Sequence, residues 1–330
     1  MSEFRQSIAS GEWVIIAPER ARRPADYHSK ESRPELPAYS ESCPFCQGNE
    51  HKCESPVYES ASEGKWKLRV VPNIYAAVQR KGTPARIKVG LYLRTNGYGA
   101  AEVIIESPDH NANIAFLPLE CVTEVIRAYR SRFNELYCDP SIAIVNIFKN
   151  HGPSAGASLV HPHSQIIATM VSPTHITDQI VYARRAFNTW GRCIYCDVLE
   201  EEIRVKERLV MESEHFVAFC PFASRHPYEI RIVPRRHSAI FGTINPEEEQ
   251  DFAFVLQTVL RKLYVLLNNP DYNYYVNSVP NSDGPVQYFH WYLVITPRLV
   301  QTAGFELGTR IYINPSLPET CATELRECCK

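Results

Sequence analysis

The sequence predicts an α+β protein made of two halves related by internal duplication, with a mostly antiparallel sheet flanked by helices. Three observations lead there. Cys43-Pro-Phe-Cys46 and Cys193-Ile-Tyr-Cys196 stand at comparable places in a chain of 330 residues, and self-similarity on that scale marks a repeated unit. Each cysteine pair is followed by the same order of parts. Each half also holds one long helical run, without the regular strand-helix alternation that a parallel sheet requires.

Taken in order, the first half places an apolar strand at residues 69–73, a second at 101–105 that runs through Ser107-Pro-Asp to His110, and a helix at 118–136, where apolar residues recur every three or four positions. A strand pair follows at 142–148 and 160–167. A helix-compatible stretch, 174–192, then joins the halves. The second half repeats the pattern with strands at 216–221 and 228–237, a helix at 246–267, and strands at 272–277 and 289–295. The strands ending in His110 and His237 align without a gap. His161 follows His110 by 51 positions and His290 follows His237 by 53, so His161 matches His290. In that register His163 falls on Tyr292 and Gln165 on Val294. The expected organisation is a catalytic half at 1–173, a connection at 174–192 and a scaffold half at 193–330, sharing one extended sheet.

With 45% hydrophobic and 22% charged residues the chain can fill a large core. A net charge of −2 gives no general cationic field, which argues against nucleic acid as a partner. No apolar leader or bilayer-length apolar run is present, so no membrane association and a cytoplasmic location are expected. Eleven cysteines, an odd number, argue against a disulfide framework and for metal binding.

A structural zinc ion takes four nitrogen or sulfur ligands in a tetrahedron. Each half offers two thiols and two imidazoles: Cys43, Cys46, His110 and His161 for one site, and Cys193, Cys196, His237 and His290 for the other. His226 and His215 compete with His237 for its place, and the ligand types also suit iron or another divalent ion. With His161 held by metal, His163 lies two residues further along the same face of an extended segment and is left free to react. A neutral imidazole nitrogen attacks phosphorus when the other ring nitrogen donates to a carbonyl. Gln165, Ser158, Ser164 and the backbone near Gly156 are placed to hold the phosphoryl oxygens. The small, polar loop running from Asn150 to Ser158 suits close approach to an anion.

The HPHSQ run at 161–165, the opening residues 11–24 (GEWVIIAPERARRP), Cys43-Pro-Phe-Cys-Gln-Gly-Asn, Ser107-Pro-Asp-His110 and the closing segment 304–315 (GFELGTRIYINP) together resemble the galactose-1-phosphate uridylyltransferase family of the histidine-triad superfamily. The resemblance covers nearly the whole chain and implies two histidine-triad-like halves. It also implies ping-pong transfer: His163 takes the uridylyl group of UDP-glucose and hands it to galactose-1-phosphate. Arg20 and Arg23 match phosphate-contacting arginines, which suits guanidinium chemistry. Asn73 matches a nucleotide-pocket residue, although an Asn in a turn needs no function. Asn150, Gly156, Ser158 and Gln165 match the phosphate-holding loop. Glu306 matches the hexose-recognising segment that the family commonly lends across a dimer interface, so a homodimer is implied.

Histidine-triad hydrolases usually carry a third histidine where Gln165 stands, and a glutamine offers hydrogen bonds without acid–base chemistry, which favours transfer over hydrolysis. Arg310 departs from the glycine of many relatives, adding bulk and charge beside the sugar segment and leaving the acceptor open. A rival reading within the same fold is an ADP-sugar phosphorylase, with ADP-glucose as donor and inorganic phosphate as acceptor. A third, of another class, is a zinc-stabilised nucleotide-binding module without catalysis.

Overall fold

A computed structural model describes residues 1–20 and 35–328. The strands are β1 (Glu3–Gln6), β2 (Trp13–Ile16), β3 (Tyr58–Ser62), β4 (Lys65–Pro72), β5 (Arg86–Val89), β6 (Tyr92–Thr95) and β7 (Gly99–Ile105). After helix α1 (Leu119–Tyr137) come β8 (Ile144–His151) and β9 (His163–Thr169), then helices α2 (Thr174–Trp190) and α3 (Ile194–Val205). The second half continues with β10 (Leu209–Glu212), β11 (Phe216–Phe219), β12 (Ile230–Pro234), α4 (Pro246–Leu267), β13 (Tyr272–Asn277) and β14 (Tyr292–Pro297), and closes with α5 (Gly304–Thr309), β15 (Tyr312–Asn314) and α6 (Pro318–Glu327).

Ten strands form one sheet in the order β10-β11-β12-β14-β13-β8-β9-β7-β4-β3. Every neighbouring pair in it is antiparallel. The two halves supply five strands each, and the order within one half mirrors that within the other about the β13–β8 seam. The α+β class and the shared sheet are therefore as expected. Helix α4 begins where the sequence placed it, because Asn245 and Glu248 cap each other's backbone amides at 2.8 and 3.0 Å and Pro246 opens the first turn.

Side chains alternate across the sheet. Ile104, Ile147, Ile166, Ile232, Tyr274 and Leu293 face α1, α4 and α6 and form the larger core. On the opposite face α2 and α3 cover Val217, Phe219, Tyr292 and Val294 in the second half. That face of the first half carries His163 and Gln165, with Val71, Val103 and Ile105 packed nearby.

Three elements differ from the sequence reading. The strand expected from residue 160 begins at His163. The segment 304–315, readable as a turn between strands, is a short helix followed by β15, which pairs in parallel with β2 and returns the end of the chain to its start. A hairpin of β5 and β6, exposed on both strands, had no counterpart in the repeat. Among the described residues every cysteine is free, and no helix is long and apolar enough to cross a membrane.

Candidate active site and metal centre

Cys43, Cys46, His110 and His161 converge in the buried turn between the cysteines and the strand ends, their ligand atoms all within 4.8 Å of one another. Cys46 Sγ lies 3.4 Å from His110 Nδ1 and 3.7 Å from His161 Nδ1. A zinc tetrahedron with metal–ligand bonds of about 2.0–2.3 Å has edges of roughly 3.5 Å, so the donor set fits the ion. Asn49 shapes the turn by donating to the carbonyls of Ser40, Glu41 and Cys43, the last at 2.7 Å. His161 is oriented from behind: its Nε2–H donates to the Ser107 carbonyl at 2.8 Å, leaving Nδ1 toward Cys46. Burial pulls the His161 imidazole down to about 4, so it is neutral, the form that ligates.

His163 opens β9 with its ring against Phe45, whose centroid is 5.5 Å away. Its Nδ1 lies 2.8 Å from the His161 carbonyl, which accepts from Nδ1–H and leaves the Nε2 lone pair available. Burial also holds this imidazole below its ordinary value. Gln165 follows on the same face, across from Val103 on β7 and Phe148 on β8.

The Asn150 loop is built tightly. Asn273 Nδ2 donates to Asn150 Oδ1 and to the Ala155 carbonyl, both at 2.8 Å. Gly152 and Gly156 adopt φ of 85° and 84°, which glycine tolerates without a Cβ penalty. Within the backbone near Gly156, the Gly156 amide itself bonds the Pro153 carbonyl at 2.9 Å, so this glycine contributes its turn. Ser158 is exposed nearby.

Ser164 requires correction as a substrate contact. It is fully buried on the opposite face of β9 and accepts from the Tyr129 hydroxyl at 2.6 Å, because alternation sends it away from its two neighbours. Asn73 follows β4 and accepts from the Tyr75 amide at 2.9 Å in a local side-chain turn. Arg23 lies outside the described residues. Arg20 and Glu306 are brought together, but away from His163: with Arg225, His226 and Tyr312 they line a cavity of about 580 Å³ that neither His163 nor Gln165 lines.

A sequence profile described as galactose-1-phosphate uridyl transferase, N-terminal domain, matches residues 1–173. The galactose-1-phosphate uridylyltransferase of Thermotoga maritima is 31% identical over 99% of this chain and 98% of its own length. This chain belongs to that family. A second profile, a domain of unknown function (DUF4921), matches residues 120–327. The ADP-glucose phosphorylase of Arabidopsis thaliana is 36% identical over 98% of this chain and 92% of its own length. A crystal structure of an Arabidopsis thaliana ADP-glucose phosphorylase with bound ADP-glucose superimposes with a TM-score of 0.84 at 33% identity, covering 99% of both chains.

In this family member a second cluster gathers Cys193, Cys196 and His237 within 4.8 Å of one another. His237 Nδ1 is 3.2 Å from Cys196 Sγ, and His290 Nδ1 reaches the same sulfur at 3.6 Å without joining the closest set. The Cys193 thiol is drawn down to about 5, first by its hydrogen bond with Cys196, toward the thiolate that binds metal. Neither competitor takes part in this cluster: His226 faces Tyr312 with centroids 5.3 Å apart, and the His215 amide bonds Asp251. Tyr292, in the place of His163, is covered, stacked 5.7 Å from Tyr195 and bonded through its hydroxyl to Asn277 and Gln179. Arg310 stands at the end of α5 with φ of 60°, a left-handed position that favours glycine.

Residues to which the sequence assigned no role are Asn49, which closes the Cys43-Pro-Phe-Cys-Gln-Gly-Asn motif, and Arg225, Glu106 and Lys149, which belong to no motif with recognisable spacing.

Proposed function

We propose that this protein is an ADP-sugar phosphorylase that moves the adenylyl group of ADP-glucose to inorganic phosphate by way of His163. The observation that carries this reading is the greater identity to the ADP-glucose phosphorylase than to the uridylyltransferase, 36% against 31%, over nearly the whole chain in each case. The superposition on an enzyme holding ADP-glucose points the same way.

In the first step the Nε2 lone pair of His163 attacks the α-phosphorus. The bond to the bridging oxygen breaks, and glucose-1-phosphate leaves with that electron pair. The Nδ1–H bond to the His161 carbonyl fixes the ring and supports the positive charge that the imidazole gains. A phosphate oxygen then attacks the same phosphorus, the phosphorus–nitrogen bond breaks, ADP leaves and Nε2 recovers its electron pair. Gln165 and the Asn150 loop orient the phosphoryl oxygens, and glutamine at this position supplies no acid or base to water.

Zinc in the Cys43, Cys46, His110 and His161 site, and in the second cluster with His290 as its fourth ligand, holds the histidine-bearing strand ends in place. Arg20 and Glu306, which line a cavity that His163 does not, serve the partner subunit's site in a homodimer. The mirrored strand order supports duplication of one ancestral half.

Uridylyl transfer from UDP-glucose to galactose-1-phosphate is the second reading, supported by the 31% identical relative. Intact mass measured under neutral conditions after brief exposure to ADP-glucose or UDP-glucose separates the two. An adenylyl adduct that phosphate discharges as ADP, and that a His163→Ala variant lacks, is the expected result. A uridylyl adduct discharged by galactose-1-phosphate would select the second reading. No adduct from either sugar would leave the non-catalytic nucleotide-binding module.

A further inference from the structure

Behind the histidine strand, on the helix-covered face of the sheet, Lys149 Nζ and Glu106 Oε2 form an ion pair at 2.6 Å with side chains 3% and 0% exposed. Two charges buried this deeply lose their hydration, and a well-packed apolar pair would serve stability as well or better. The lysine makes a further bond that an apolar side chain could not, and two main-chain contacts lie beside it. Lys149 Nζ donates to the backbone carbonyl of His163 at 3.0 Å. The Glu106 amide donates to the Pro162 carbonyl at 3.2 Å, and the next carbonyl, that of Ser107, holds His161 Nε2. Proline at 162 has no N–H, so the segment from His161 to His163 has one backbone anchor fewer than an ordinary strand.

We infer that Lys149 is a positioning residue for His163, clamping its backbone carbonyl from β8, with the Glu106 carboxylate at the end of β7 holding the Lys149 ammonium in place. The inference rests on the reading of His163 as the attacking group. The clamp fixes where the Nε2 lone pair points, while Nδ1 is held by the neighbouring carbonyl. Attack on phosphorus is sensitive to that placement, since misplacement by an ångström costs about 10²-fold in rate.

The test is the double variant Lys149→Met with Glu106→Leu, which removes both charges at similar volume, studied as the metal-loaded protein. Thermal unfolding and metal content are expected to stay near wild type. Nitrogen NMR of labelled histidines should then show the His163 ring losing its single tautomer. With ADP-glucose, kcat should fall by about 10²-fold with KM nearly unchanged. Wild-type His163 signals and wild-type kcat in the folded double variant would overturn the inference and reduce the pair to a structural one. Should the double variant not fold, Lys149→Arg keeps the charge but shifts the donor. It should disturb the His163 signal in a stable protein, and an undisturbed signal would count against the clamp. If wild type forms no adduct with either nucleotide sugar, the proposed function fails, and the NMR comparison still decides whether the pair positions His163.

Discussion

The Nδ1–H of His163 donates to the backbone carbonyl of His161 at 2.8 Å. One residue therefore faces Cys46 with its ring and aims its neighbour's ring with its main chain. The proposed metal ligand and the proposed attacking group are thus coupled through a single dipeptide spacing, and disturbance of either histidine reaches the other.

Ser164 stands between His163 and Gln165 and yet faces away from both. Ser164→Ala should cost about 1–2 kcal/mol of stability through the lost bond with Tyr129, and it should leave turnover nearly unchanged. Urea unfolding beside steady-state kinetics checks this; a collapse of kcat in a stable variant would return Ser164 to the substrate site.

Replacing Cys43 by Ser removes one corner of the first cluster. Bound metal should drop by about one equivalent per chain, and the thermal midpoint should fall by several degrees, because structural zinc contributes directly to folding. Elemental analysis and a melting curve decide the matter. A variant that kept its full metal content would remove Cys43 from the ligand set.

Gly152→Ala places a Cβ 1.9 Å from Asp271 Oδ1 at a φ of +85°. Asp271 also receives the Ser154 amide at 2.6 Å, so displacing it loosens the loop beside Asn150. A loss of about 2–4 kcal/mol is expected, with KM for the nucleotide sugar rising more than kcat falls. Denaturant titration and initial rates measure the two effects.

Burial, with help from Arg298 and Arg225, holds His226 below its ordinary value against the opposing pull of Glu229 and Glu306. The unfolded chain takes up this proton near pH 6.5 and the folded chain only at lower pH. Stability should therefore decline as pH falls below about 6.5, because the unfolded state binds more protons there. His226→Gln should flatten that decline in unfolding free energies measured between pH 7 and 5. An unchanged slope would show that His226 titrates alike in both states.

Much of this was legible locally. Regular apolar spacing placed α1 and α4, and the two Cys-x-x-Cys pairs with their matched histidines located the first cluster in full and three of the four expected members of the second. The alternation that sets His161 beside His163 also turns Ser164 to the other face. What escaped were relations without a period. β15 pairs with β2 from the opposite end of the chain, which draws the Arg20 and Glu306 segments toward one cavity. Lys149 and Glu106 meet only because β8 and β7 both flank β9. Asn49 reads as a loop residue until its three carbonyl partners are seen.

The great sheet passes from one half to the other through one ladder, β8 with β13, in which Tyr272, Asn273, Tyr274 and Tyr275 oppose His151, Asn150, Lys149 and Phe148. A cut within α2 would leave that ladder intact, so a nicked chain should hold together as two complementing fragments. Made separately, each fragment would bare a naked edge of amide and carbonyl groups, the geometry that recruits foreign strands. Split production of this protein would then succeed only when both pieces are present as they fold.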